Sequence, residues 1–344
     1  MAEQPMAEQS ATEQSVTEQS VTEQHTVDLV IVGAGPAGLY AAYYAGFRGL
    51  STALVDSLPE AGGQVSAMYP EKMIFDVAGF RAVRGRDLID GLVEQAGQWK
   101  PTYLLGRQAR DLVDDGDGLL MTLADGDRIS TRVVLITAGI GEFTPRSLPA
   151  GEGWHHRGLV YFVPRLIEHA GKDVIVVGGG DSAFDWVLAL HPIARRVTLV
   201  HRRAKFRAHA GTVEQVKALG VEVLVDTEVA ELRGNDVLAE ADLVVRDGGR
   251  RTVAVQTLVA ALGFTADLGP IESWGIDVHR RSVLVDTTMR TTRPRVYAAG
   301  DVTAYEGKVK LIATGFGEAA TAVNNIAVLL DPEAHLFPGH STDA

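Results

Sequence analysis

Residues 27–42 read VDLVIVGAGPAGLYAA, and residues 173–186 read DVIVVGGGDSAFDW. Each is an apolar run of strand length that breaks into glycines and then opens a helix-forming segment. In the first, Gly33, Gly35 and Gly38 hold the spacing G-x-G-x-x-G, with Ala37 in the opening turn of the helix. The first glycine permits the tight turn, the second admits a pyrophosphate to the backbone, and the third lets the helix pack on the strand. Free N–H groups and a partial positive charge at the helix start favour phosphate. LSTALVD follows as a second strand and ends at Asp56, a carboxylate placed to accept hydrogen bonds from ribose hydroxyls. Strand, helix and strand in this order make a βαβ unit of a parallel sheet.

The second turn carries Gly178, Gly180 and Ala183, with Asp181 and Ser182 between them. Alanine in the third place is an accepted variant. Asp56 stands 23 residues after Gly33, and the residue 23 after Gly178 is His201. The acid is missing there; Arg202 and Arg203 follow at once, and Arg207 comes four positions later. A 2′-phosphate repels a carboxylate and pairs with guanidinium forks. The first site therefore suits the unmodified adenosine ribose of FAD, and the second suits NADPH rather than NADH. Two such nucleotides on one chain imply hydride transfer between nicotinamide and flavin.

Around these turns the chain alternates short apolar runs with helical periodicity. RRVTLVH closes the second βαβ unit. GDGLLMTLADGDRIST reads as hairpin strands with DGDG and DGD turns. VVLITAGIG at 133–141 and TLVAALGF at 257–264 read as strands that leave one domain and then the other. RVYAAGDV at 295–302 is a further apolar strand, and LIATGFGEAATAVNNIAVLL one amphipathic helix. The expected fold class is α/β, with two Rossmann-like three-layer dinucleotide-binding domains, the NADP domain inserted in the FAD domain. The expected boundaries are a disordered tail at 1–25, an FAD-binding domain at 26–143 and 281–344, and an NADPH-binding domain at 144–280.

Composition narrows the function. With 344 residues and 46% hydrophobic content, the chain can fill two cores. Its net charge of −12 speaks against nucleic-acid binding. Residues 1–25 repeat the type xTEQS with five glutamates and few apolar residues, too little to offset the ordering of a fold. There is no apolar run long enough to cross a membrane and no secretory signal pattern, so the expected location is cytoplasmic. Cysteine is absent, which removes disulfides, thiolate metal sites and dithiol chemistry.

Several further motifs carry a family resemblance. They are GGQVSAMYPEK at 62–72, TAGIGEFTPR at 137–146, HRRAKFRAH at 201–209, YAAGDV at 297–302, GKVKLIATGFGEAATAVNN at 307–325 and HST at 340–342. With them, the chain resembles the thioredoxin-reductase-like flavoproteins, and within these the thioredoxin-reductase-type ferredoxin–NADP reductases. A thioredoxin reductase would carry CxxC before the second glycine turn; here GLVYFVPRLIEHAGK holds none. The resemblance implies non-covalent FAD on Gly33, Gly35 and Gly38, with Asp56 on the ribose. It implies flavin contacts from Gln64, Tyr69, Ala109 and Phe143, with Tyr69 stacked on one face of the ring system. Asp301 would hold the ribityl chain or pyrophosphate, and His340 and Thr342 would lie in a tail over the other face. It further implies electron transfer to or from ferredoxin or flavodoxin, a homodimer, and a hinge near 144–146 and 278–281.

Hydride transfer needs positioning of the two rings rather than an acid or base, so no conventional catalytic residue is singled out. Arg165, His169 and Lys172 read as a solvated helix face. Arg81, Arg84, Arg86 and Lys72 lie close in sequence and offer a basic patch for an acidic protein partner. Two other readings stay open at this stage: an NADPH-dependent reductase of quinones, free flavin or iron chelates, and a flavin-binding sensor that does not turn over.

Overall fold

A computed structural model describes residues 24–339 of the protein. The expected tail lies outside these residues except for Gln24 and His25, which already belong to the strand Gln24–Val32. Six helices run along the described chain: α1 (Pro36–Phe47), α2 (Gln64–Met68), α3 (Gly85–Gly97), α4 (Asp181–Leu190), α5 (Ala210–Ala218) and α6 (Ile312–Leu330).

The first sheet has seven strands built around Gln24–Val32. That strand pairs in parallel with Thr52–Asp56 on one side and with Arg128–Ile136 on the other, Leu29 opposite Thr52 and Val32 opposite Ile136. Leu29, Val30 and Ile31 are fully buried because both faces of the sheet are covered, the reason such strands read as unbroken apolar runs. On one face Leu39 of α1, Leu88 of α3 and Val323 of α6 share a core. On the other, Met121 and Leu123 pack with Ile271 and Trp274.

The second sheet has five parallel strands in the order Leu159–Val160, Thr257–Ala260, Asp173–Val177, Arg196–Val200, Glu222–Leu224. Phe184 and Val187 of α4 and Val213 and Val216 of α5 cover one face. A three-stranded antiparallel sheet, Thr227–Gly234, Leu238–Val245 and Arg250–Ala254, covers the other through Val229, Leu243 and Val253. Each sheet is thus the middle of a three-layer α/β arrangement.

The two passages between the sheets pair with each other. Glu142–Pro145 runs antiparallel to Phe264–Asp267, with Thr144 opposite Thr265. Gly141 permits this crossing: its φ is +77°, and a Cβ there would sit 2.0 Å from the Asp267 carbonyl oxygen. The expected return near 280 differs from the observed packing. Leu268, Ile271, Trp274 and Ile276 already lie in the core of the first sheet. Trp274 donates from Nε1 to the Arg110 carbonyl at 3.0 Å, which fastens that stretch to the first sheet.

Candidate functional site

The first glycine turn forms one wall of a cavity of about 420 Å³, within the range of small-molecule and cofactor sites. Gly33 has φ +114°, and a Cβ there would meet the Thr137 carbonyl oxygen at 2.5 Å. Gly38 faces away from the cavity; a Cβ on it would lie 1.9 Å from the Gly33 carbonyl oxygen, so it serves helix-to-strand packing. Gly35 is different: a Cβ there would meet nothing nearer than Gly63 Cα at 3.9 Å, which leaves open space where a phosphate fits. Gly35 caps α1 with no side chain bonded to the helix end, and the first turn carries no acid. Its N–H groups and the positive end of the helix dipole are therefore available to an anion.

Asp56 lines the same cavity. Its Oδ2 accepts from Ala34 N at 2.7 Å and its Oδ1 from Leu58 N at 2.9 Å. The carboxylate thus fixes the turn it follows and retains lone pairs for a further donor. Burial pushes this carboxyl above its ordinary 3.8, against the pull of those two N–H donors.

Gln64, Tyr69, Ala109, Phe143 and Asp301 line the cavity as well, together with Ala37. Gln64 opens α2, and its amide lies 2.9 Å from where a Gly139 Cβ would stand. Burial, then the charges of Asp301 and Asp76, push the Tyr69 phenol up to about 12, so it stays protonated. Burial likewise raises the Asp301 carboxyl, while Lys308 and Lys310 pull it down. The donor set fits a long ligand with a diphosphate centre and a polar ring end.

Some lining residues are absent from the sequence reading. Arg107 lines the cavity and is held by Asp127 and by Asp125 at 3.5 Å. Gly300 and Gly315 close the wall beside α1, where a Cβ would meet Ala37 Cβ at 3.1 and 3.5 Å. Behind Gly300 lies Glu318, whose signal was in the sequence: it is the single charged residue of α6 and it is buried.

The second glycine turn sits apart from the cavity. A Gly178 Cβ would crowd Ala183 Cβ at 2.8 Å, so the alanine in third place packs directly on the turn. The segment 201–209 folds over this turn: Arg207 N donates to the Gly179 carbonyl at 2.7 Å, and His209 N donates to Asp181 Oδ1 at 2.8 Å. The His201 ring covers Gly179, where a Cβ would lie 2.2 Å from it. Burial, helped by Arg202, Arg203 and Arg207, lowers the His201 pKa against the Lys205 carbonyl, so its ring is neutral near pH 7. Ser182, Arg202, Arg203 and Arg207 are exposed. Among the described residues none of these three arginines has a carboxylate partner, so their guanidinium groups stand ready for an anion.

The two sites are joined. Tyr69 packs on the cores of both sheets, and Lys72 Nζ lies 2.5 Å from Asp185 on α4. His340 and Thr342 lie outside the described residues. His169 corrects an expectation: it is buried, 6% exposed, because a 3₁₀ turn (Leu166–His169) turns its ring inward, where Nδ1 lies 3.2 Å from Thr257 Oγ1. Among the described residues no three metal-ligating side chains gather, and no helix is long and apolar enough to cross a membrane.

Comparison with known proteins places this geometry. The family model for pyridine nucleotide-disulphide oxidoreductases matches residues 27–324. The chain is 66% identical over 318 residues to a protein of Saccharopolyspora erythraea named ferredoxin–NADP reductase, covering 92% of this chain and 97% of that one. It is 62% identical over 315 residues to a protein of the same name from Frankia alni, covering 91% and 98%. Among solved structures, the thioredoxin reductase of T. acidophilum superposes with a TM-score of 0.75 at 25% identity, over 89% of this chain and 99% of that one. The thioredoxin reductase of Lactococcus lactis gives a TM-score of 0.73 at 26% identity, over 88% and 99%.

Proposed function

The chain belongs to the pyridine nucleotide-disulphide oxidoreductase family, and from that premise we propose that it is an NADPH-dependent flavoprotein that exchanges electrons with ferredoxin or flavodoxin, a ferredoxin–NADP reductase. The observation that carries the reading is the pairing of unlike ribose sites on one polypeptide: a half-buried carboxylate, Asp56, beside the first glycine turn, and exposed arginines beside the second. The name of its relatives from Saccharopolyspora erythraea and Frankia alni supports the same partner.

In this reading FAD lies in the 420 Å³ cavity, with its pyrophosphate at Gly33, Gly35 and the start of α1 and its ribose at Asp56. Bound flavin supplies the ability to accept a hydride and release electrons singly. Everything else is the work of the chain's own residues. Gln64 and Tyr69 hold the ring end, Ala109 and Phe143 exclude water, and Asp301 holds the chain between ring and phosphates. Gly178, Gly180, Asp181, Ser182 and Ala183 receive the NADPH pyrophosphate, and His201, Arg202, Arg203 and Arg207 its 2′-phosphate. With no cysteine in the chain, electrons leave the site without a dithiol relay.

The FAD-binding domain then comprises residues 26–143 and the chain from the Phe264–Asp267 ribbon onward, and the NADPH-binding domain the residues between. The return is taken here earlier than the 280 expected from the sequence; the packing of Leu268 and Trp274 on the first core supports it. A homodimer working in the cytoplasm completes the proposal.

Anaerobic titration tests it. Purified protein is expected to be yellow, to bleach with NADPH at far lower concentration than with NADH, and to turn over when ferredoxin is added. A colourless protein that does not take up FAD overturns the reading. Turnover with quinones but not with ferredoxin or flavodoxin overturns the partner.

A further inference from the structure

One charged pair has both side chains almost wholly buried, against the back of the cavity wall. The Glu318 side chain is 5% exposed and that of Lys308 6%, and the two form an ion pair. Tyr305 donates its hydroxyl to Glu318 Oε1 at 2.5 Å, and Thr303 Oγ1 lies 3.4 Å from Oε2. Burial and the Glu318 charge push the Tyr305 phenol up to about 12, so it remains a donor.

The group converges on a single residue. Gly300 N donates to Glu318 Oε2 at 2.7 Å. The Gly300 carbonyl accepts from Lys308 Nζ at 3.0 Å and from Thr303 Oγ1 at 2.8 Å. Both backbone polar groups of Gly300 are therefore claimed from behind the cavity. Gly300 holds φ +83° and directly precedes Asp301, and both residues line the cavity. Glu318 also sits one turn beyond Gly315 on α6, a residue of the same wall.

Burying two charges seldom yields net stability, since desolvation consumes most of the attraction; an apolar pair of similar volume usually folds as well. Stability alone is thus a poor reason for a lysine and a glutamate here. Two other consequences follow from the geometry. The pair fixes the orientation of the Gly300 peptide groups, and with it the position of Asp301. It also brings a positive and a negative charge together behind the wall, in a region of low dielectric where an uncompensated charge acts strongly.

We propose that Glu318 and Lys308 are a positioning pair for the redox site: they clamp the Gly300–Asp301 wall and keep the charge behind it balanced, which sets the reduction potential of the group in the cavity. The inference rests on the flavin reading of that cavity and deepens it.

Charge logic makes the test directional. Reduced flavin at neutral pH carries one negative charge more than oxidised flavin. Glu318→Gln leaves the ammonium uncompensated and is expected to shift the flavin midpoint potential positive. Lys308→Met leaves a carboxylate that still has the Gly300 N–H and the Tyr305 hydroxyl as donors, and is expected to shift it negative. The double variant Glu318→Gln/Lys308→Met restores neutrality and is expected to return the potential close to that of the wild type. Midpoints are read by anaerobic dye titration of holoprotein, with flavin content and thermal melting of each variant measured alongside. A purely structural pair would loosen the wall in both single variants, moving both potentials the same way with loss of flavin and without recovery in the double variant; that result overturns the proposal, as do unchanged potentials. Should Lys308→Met fail to fold, Glu318→Gln against the double variant still decides the sign. A wild-type protein that takes up no flavin overturns the reading of the cavity itself, and the pair's role with it.

Discussion

The ammonium of Lys72 lies 2.5 Å from the carboxylate of Asp185, and this contact spans the two halves of the proposed reaction. Lys72 is three residues from Tyr69, which lines the first cavity; Asp185 stands in α4, the helix that the second glycine turn opens. The side chains are 42% and 27% exposed, so the pair contributes only about 0–1 kcal/mol to folding. Its consequence in the proposed reading lies in how α4 is held against the segment carrying Tyr69.

Lys72→Met and Asp185→Asn are therefore expected to leave the melting temperature within about 3 °C of the wild type. Both are expected to change the rate at which NADPH bleaches the flavin in stopped flow. Salt screens the same contact, with a Debye length of about 3 Å at 1 M. Each variant at low salt should then match the wild type at high salt, and the double variant should add nothing to either single one. Additive effects of the two substitutions would show that the contact does not act as a unit.

In the proposed reading, nucleotide choice is carried by guanidinium groups with no carboxylate partner among the described residues. A charge-assisted hydrogen bond contributes about 1.5–3 kcal/mol, so two of them give a preference of roughly a hundredfold or more. Arg202→Ala/Arg203→Ala is expected to raise the NADPH concentration for half-maximal bleaching by about that factor and to leave NADH use nearly unchanged. Equal losses with both nucleotides would place the 2′-phosphate elsewhere.

What the sequence made legible follows from how local the determinants are. The turns at Gly33 and Gly178 were readable because their glycine spacings answer to contacts within one βαβ unit, and Asp56 because the strand it ends follows directly. The return crossing was not. Leu268, Ile271 and Trp274 stand three apart over one short 3₁₀ turn, Gly269–Ser273, too brief to read as an element, and their partners Met121 and Leu123 lie far back in the chain. His169 was read from a polar neighbourhood, but the 3₁₀ turn reverses its direction, and only the fold supplies Thr257. Glu318 stood in view as one carboxylate in an apolar helix; its meaning needed Lys308 and Gly300, brought to it by the chain's path between the apolar strand Val296–Ala298 and α6.

Asp56 couples ligand binding to apoprotein stability with a definite sign. Its carboxyl is raised above 3.8 by burial, so the folded state holds the proton more tightly than the unfolded chain. The stability this contributes is full below pH 3.8 and is lost as pH rises through the folded value; at neutral pH the ionised group costs the apoprotein stability. The melting temperature of wild-type apoprotein minus that of Asp56→Asn is expected to fall as pH is raised from about 4 towards 7. The same substitution removes the charged acceptor proposed for the ribose and is expected to weaken FAD binding about tenfold or more. A melting difference that does not vary with pH would show that Asp56 titrates alike in both states.

The partner surface is the last consequence of charge placement. The chain as a whole is acidic at −12, which would repel an acidic electron carrier, so association needs a local exception. Residues 71–86, EKMIFDVAGFRAVRGR, supply one: four basic residues against two acids. Lys72 is engaged by Asp185, and Arg84 and Arg86 reach Glu71 at 3.8 and 2.7 Å, while Arg81 is exposed. Between them Phe75 is 73% exposed, Phe80 52% and Met73 41%, apolar surface of the kind that binds once charge has steered a partner in. The stretch follows Tyr69 directly, so a carrier docked there stands beside the proposed flavin end of the cavity. Arg81→Glu/Arg84→Glu is expected to slow ferredoxin reduction about 10- to 100-fold at low ionic strength, with the difference closing as salt rises. Bleaching by NADPH is expected to stay at the wild-type rate in that variant. Phe75→Ala is expected to weaken ferredoxin binding with little change in salt dependence. If charge reversal leaves the ferredoxin rate and its salt dependence intact, the carrier docks on another face, and these exposed rings serve a different contact.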